Sequence, residues 1–167
     1  MTINVKMLDP ANDDFRIAMR RLASAVSIIT ASHGGVHAGM AAAAVTSLCM
    51  SPPSILVCVN ANASVHALIG ASRRFCVNLL HETQEKITSL FGGKVSQSER
   101  FGDHLWQWDA NGTPFLDPAQ ATIFCELADE FRYGTHSVFI GNMVSVKAAE
   151  HVAPLVYADG KYAGLRM

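Results

Sequence analysis

His136 lies in the segment Gly134-Thr135-His136-Ser137-Val138-Phe139-Ile140-Gly141, where a glycine turn leads into an apolar run, so its imidazole is expected at the start of a strand. An imidazole so placed can hydrogen-bond a ligand, orient a second one or exchange a proton. The stretch GMAAAAVTSLCMSPPSILVCVNANAS, residues 39–64, carries a different chemistry. It passes from four alanines through Thr46 and Ser47, past Pro52-Pro53, into an apolar run that ends at a serine suited to open a helix. Small side chains let a planar ring approach the main chain, whose amides can bond its polar edge. A helix start, with unpaired N–H groups and the positive end of the dipole, suits a phosphate. The two segments together suggest a site for a flat cofactor with an anionic end.

Other chemistries lack their residues. His33 and His37 have the four-residue spacing of helical zinc motifs, but His-Gly-Gly-Val-His is a turn and lacks the required Glu. Neither a G-x-S-x-G elbow nor an acid/base pair stands out, and no metal is expected. Gly92-Gly93-Lys94 follows Phe91 without the spacing of a P-loop, which leaves Lys94 a surface lysine or a secondary phosphate partner. No G-x-G-x-x-G is present, so a nicotinamide nucleotide would not be held by a Rossmann unit. Cys49, Cys58, Cys76 and Cys125 are far apart and form no C-x-x-C pair, which predicts reduced core thiols.

Positioning these groups falls mainly to strands. A helix is expected from residues 10–14 onward, with Asn12 or Asp13 as cap and Phe15, Met19 and Leu22 on one face. Residues 25–31 and the chain from Val36 read as a hairpin about His33-Gly34-Gly35. Residues 54–60 and 75–80 read as buried strands, 64–69 as a short helix, and 83–91 as a helix ending at the glycine pair. From 92 to 118 the pattern is lost, and a loop-rich, mobile excursion is expected, with Phe101 and Trp106 as core or lid aromatics. Residues 121–133, 137–149 and 155–165, the last with an Asp159-Gly160 turn, read as antiparallel strands. Many strands without alternating strand–helix units predict a closed or partly closed β barrel with peripheral helices.

At 167 residues, half of them apolar and 16% charged, the chain is read as one domain, residues 1–167, with room for an oligomer interface. A net charge of −1 and the absence of a basic cluster larger than Arg20-Arg21 or Arg73-Arg74 argue against nucleic acid. No apolar run approaches the ~20 residues of a membrane span, and no leader pattern opens the chain, so a cytoplasmic protein is expected.

Ordered landmarks carry a resemblance across residues 15–165. They are Phe15-Arg16-Ile17-Ala18-Met19, Val26-Ser27-Ile28-Ile29-Thr30, Gly39-Met40, Thr46-Ser47, Pro52-Pro53, Cys76-Val77-Asn78, Phe91-Gly92-Gly93, Glu99-Arg100-Phe101, Gly134-Thr135-His136 and Tyr162. The chain resembles the short-chain flavin reductases, NAD(P)H-dependent partners of two-component monooxygenases, and is most similar to those of 4-hydroxyphenylacetate hydroxylation and pyrimidine breakdown. The resemblance implies an FMN-binding split barrel, a homodimer, FMN or FAD with NADH or NADPH, and a separate oxygenase as recipient of reduced flavin.

It also implies that Ala41, Ala42, Ala43, Ala44, Val45, Thr46, Ser47 and Leu48 hold the flavin ring, and that Asn62, Ala63, Ser64 and Val65 hold its phosphate end. Phe91, Lys94, Phe101 and Tyr162 are implied as further cofactor contacts, with His136 beside flavin and nicotinamide. The Asp159-Gly160-Lys161-Tyr162 hairpin is expected to line the nicotinamide groove with His136. Two positions depart from the family: Ala41 replaces a frequent Thr, and Thr135 replaces a frequent Asp that would orient the imidazole. Two further readings stay open. One is a flavoprotein with retained FMN that passes electrons to another acceptor, as a cob(II)yrinic acid a,c-diamide reductase does with a cobalt corrin. The other is a non-catalytic flavin-binding module.

Overall fold

The computed structural model describes residues 13–92, 95–102 and 104–165. Helix α1 (Asp13–Met19) and the short strand β1 (Ser24–Ala25) lead into the hairpin of β2 (Ser27–His33) and β3 (Val36–Ala42). The hairpin forms as predicted, because Gly34 and Gly35 take φ of 58° and 79° in a two-residue turn that needs positive φ at both positions. Next come β4 (Val45–Met50), β5 (Pro53–Asn60), α2 (Ser64–Ser72) and β6 (Arg74–Leu79). A 3-10 turn at Glu82–Gln84 precedes α3 (Glu85–Phe91). The long strands β9 (Ala121–Tyr133) and β10 (His136–Ala148) follow the excursion, close to the boundaries read from the sequence.

Seven strands form one antiparallel sheet in the order β3-β2-β6-β9-β10-β5-β4. Its two edge strands are consecutive in the chain, separated only by Ala43 and Ala44. In a flat sheet, six spacings of about 4.8 Å would hold the edges about 29 Å apart. Three Cα–Cα steps of about 3.8 Å span at most about 11 Å. The sheet must therefore curl until its edges meet at the two alanines. This produces the expected partly closed barrel and locates its split.

Inward-facing residues fill the barrel: Ile29, Ile55, Val57, Val59, Phe75, Val77 and Phe139 pack with Val65 and Ile69 of α2. Gly141 is glycine because a Cβ there would collide with the Phe75 ring and stand 2.8 Å from Cys125 Cβ. Cys76 and Cys125 are core thiols, as expected. Burial pushes the Cys76 thiol well up and that of Cys125 to about 12. Cys49 departs from the expectation, since β4 is an edge strand that leaves it exposed.

One other expectation is corrected. The excursion contains α4 (Gln97–Arg100) and a ribbon of β7 (Trp106–Trp108) and β8 (Pro114–Leu116). Its order comes from a buried polar anchor in β6. The Leu116 N–H donates to Asn78 Oδ1 at 2.8 Å, and Asn78 Nδ2 donates to the Ile28 carbonyl at 2.9 Å. Phe101, Trp106 and Leu116 fill a second core with Ile28, Leu80, Phe91 and Leu155. Helix α1 forms where expected, and Phe15, Met19 and Leu22 are exposed. The predicted cap Asn12 and the residues Gly93 and Lys94 lie outside the described residues. The closing hairpin of β11 (Val156–Ala158) and β12 (Lys161–Ala163) pairs with β1 in a separate three-stranded sheet.

Candidate functional site

Ala41 and Ala42 close β3, Ala43 and Ala44 span the split, and Val45, Thr46, Ser47 and Leu48 open β4. The run read as one segment is thus two strand ends and a break. Ala43 and Ala44 are exposed, and the Ala44 carbonyl accepts from Cys58 N–H at 3.0 Å. A cavity of about 370 Å³ opens there, lined by Ala43, Ala44, Met19, Leu22, Arg20 and Tyr157 among others. Met19 at the end of α1 and Leu22 just after it line this cavity. Thr46 and Ser47 are exposed on β4, and a register shift between Ser47 and Cys49 makes a bulge at Leu48. At Gly39 the planar ring that needs a small residue is Phe91, whose Cε1 would lie 2.6 Å from a Cβ.

The phosphate-like turn lies close by along the chain that follows β5. Asn60 Oδ1 accepts from the Asn62 N–H at 2.9 Å, and the Ala61 N–H donates to the Thr135 carbonyl at 2.9 Å. The N-cap of α2 is Ala63, and no side chain caps the helix. Asn62 and Ser64, both good capping residues, leave this role unfilled. The first turn of α2 therefore keeps donors and a positive dipole end with no side-chain partner, as an anion site requires.

His136 is the first residue of β10 and pairs with Asn60 of β5. The structure thus brings His136, the alanine break and the start of α2 to the same end of the barrel. Thr135 Oγ1 lies 2.9 Å from His136 Nδ1. The hydroxyl stands within hydrogen-bonding reach of the ring, where it can orient the imidazole in place of the missing carboxylate. Sequence alone gave no sign of this, because it depends on the turn at Gly134, which has φ 55°.

Phe91 and Phe101 belong to a different cluster from Val65 and Ala63. Their rings meet edge to face at 5.2 Å, and Phe101 also meets His37 at 4.8 Å. His37 is an aromatic partner here. Tyr162 lies on the closing hairpin and faces Tyr157 with ring centroids 5.2 Å apart, so Tyr157, which was not singled out, is the residue of that pair lining the alanine cavity. Arg20 and Arg21 hold the hairpin through Asp159, at 3.4 and 3.8 Å. A second cavity of about 390 Å³ lies away from this site on the outer sheet face, among Arg74, Trp108, Phe115, Phe124 and Glu126.

A curled antiparallel sheet split at a two-alanine link, with an uncapped helix start and an oriented histidine at one end, is the frame of a flavin-handling split barrel. The chain belongs to the flavin reductase like domain family, whose profile matches residues 19–166. It is 42% identical over 151 residues to the reductase component of an FADH(2)-dependent resorcinol hydroxylase from Rhizobium sp. (strain MTP-10005), covering 89% of this chain and 84% of that protein. It is 38% identical over 153 residues to the FMN reductase (NADH) RutF of Stutzerimonas stutzeri (strain A1501), covering 92% and 88%. Among solved structures, nitrilotriacetate monooxygenase component B from Mycobacterium thermoresistibile superposes with a TM-score of 0.85 at 30% identity, covering 92% and 86%. The family and fold expected from the ordered landmarks are borne out.

Proposed function

We propose that the protein is an NADH-dependent flavin reductase that takes up FMN or FAD at the alanine split and releases it reduced to a separate oxygenase. The observation that carries this reading is the convergence of the small-residue break, the uncapped start of α2 and His136 at one end of the barrel. When bound, the flavin supplies the hydride acceptor and the nicotinamide the donor.

The chain's own work is to bind and orient them. Main-chain groups from Ala41 to Val45, with Thr46, Ser47 and Leu48, form the ring site. Asn62, Ala63, Ser64 and Val65 offer the amides for the phosphate end. His136, held by Thr135, positions the nicotinamide, and Tyr162 supports Tyr157 at the cavity wall. Phe91 and Phe101 shape the site by backing β3 rather than by stacking on a ligand. Lys94 is a phosphate partner in this proposal. The whole chain works as one reductase unit, and the cytoplasm is its proposed location. No helix among the described residues is long and apolar enough to cross a membrane.

A homodimer is part of the proposal. Leu48 and Met50 on β4, Phe131 and Tyr133 on β9, and Val144 and Val146 on β10 are all exposed, Met50 at 84% and Tyr133 at 86%. Large apolar side chains left exposed on one sheet suit a subunit interface. Sedimentation should give a dimer at micromolar concentration. The flavin site is tested with Ser47→Trp, whose indole should fill the ring site and abolish saturable quenching of flavin fluorescence. Flavin binding equal to wild type would reject the site.

A further inference from the structure

We propose that His66, Ser137 and Glu130 form a positioning relay that fixes the first turn of α2 against the end of the β9–β10 pair, and so sets the flavin's phosphate site. The inference rests on the flavin reading above and adds three residues to it. Ser137 follows His136 on β10, and alternation turns it into the barrel while His136 faces out. Its side chain is fully buried. Its Oγ lies 2.8 Å from His66 Nε2 and donates to Glu130 Oε1 at 2.9 Å. A serine hydroxyl has one proton, and here the carboxylate takes it. His66 must therefore carry its proton on Nε2 and donate to Ser137.

The three residues come from α2, β10 and β9. His66 lies in the first turn of α2 and packs its ring on Phe139 at 5.1 Å. Glu130 stands opposite Phe139 in the sheet, with its carboxylate 3.7 Å from His66 Nε2. An apolar trio could fill the same space. A polar chain in this place costs desolvation unless every member is paired, and the geometry pairs them in one direction. Ala63 gives α2 no side-chain cap, and the relay adds a side-chain hydrogen bond to the packing of Val65 in holding the first turn against the sheet.

The test compares FMN with riboflavin, which shares the ring but lacks the phosphate, by fluorescence quenching with the full-length protein. The variants are Ser137→Ala, Glu130→Ala and Glu130→Gln, each checked by thermal melting. Loss of one part-buried hydrogen bond corresponds to up to about tenfold in affinity. Ser137→Ala and Glu130→Ala should weaken FMN by roughly that factor and leave riboflavin within about twofold, while Glu130→Gln, which keeps an acceptor oxygen, should restore FMN binding. Equal losses for both flavins, or unchanged FMN affinity in variants of a wild type that prefers FMN, overturn the relay alone. A wild-type protein that binds neither flavin overturns the flavin reading and the relay with it.

Discussion

At the residue scale the pair Thr135 and His136 is the most informative. The absence of an Asp before the histidine reads, in sequence, as a lost orienting group. In the structure a threonine hydroxyl at 2.9 Å fills that role, and the difference rests on a rotamer and a turn that no spacing rule encodes. His136→Ala should raise KM for NADH or slow flavin reduction, with the melting temperature unchanged because the side chain is exposed. Thr135→Val keeps the shape and removes the bond, so steady-state kinetics should move in the same direction by a smaller factor, about two- to tenfold. Wild-type kinetics in both variants would remove His136 from the site. The alanine run was legible as a close-approach surface. Its division into two strand ends and a break was not, because alanine is compatible with either and only the sheet order decides.

At the element scale, long regular segments were legible and short ones were not. Residues 121–133 and 136–148 carry enough β-rich sequence to announce themselves. The ribbon at Trp106–Trp108 and Pro114–Leu116 has three residues per strand, too few for a period, and its anchor Asn78 lies 38 residues from Leu116. Phe101 and Trp106 were expected in a core or a lid, and they are in the core. The apolar residues of α1 were legible as a group, but not their exposure, with Met19 and Leu22 lining a cavity at the barrel split. Gly141 shows how tightly β10 is fitted to β6 and β9. Gly141→Ala should destabilise the protein by about 1–3 kcal/mol through overpacking, seen as a lower urea midpoint with an unchanged slope. A neutral result would mean that Phe75 and Cys125 can yield.

At the scale of the whole molecule, barrel closure follows from chain connectivity. The run of strands without alternating strand–helix units predicted a barrel, but only the two-alanine link between β3 and β4 says where it opens. The buried thiols give the fold a pH limit. Cys125 rises from 9.0 to about 12, and Cys76 rises as well, both mainly through burial. In each case the folded form keeps its proton after the unfolded chain has lost it, so the stabilising effect is complete below the unfolded value and declines as pH rises above it. Stability should fall between about pH 9 and pH 11 by up to about 1.4 kcal/mol per pH unit for each thiol. Cys125→Ala should flatten this decline in urea unfolding followed across that range. An equally steep decline would mean that other groups cause it.

The central claim is that the barrel end marked by the alanine split, the start of α2 and His136 reduces a flavin that comes and goes. Its most direct test is anaerobic stopped-flow mixing of the desalted protein with NADH and added FMN or FAD, read at the flavin absorbance near 450 nm. The account predicts a colourless protein after desalting and rapid bleaching of added flavin by NADH, with reduced flavin recovered free of protein. A tightly retained yellow flavin reduced in place, or no bleaching with either NADH or NADPH, would contradict it.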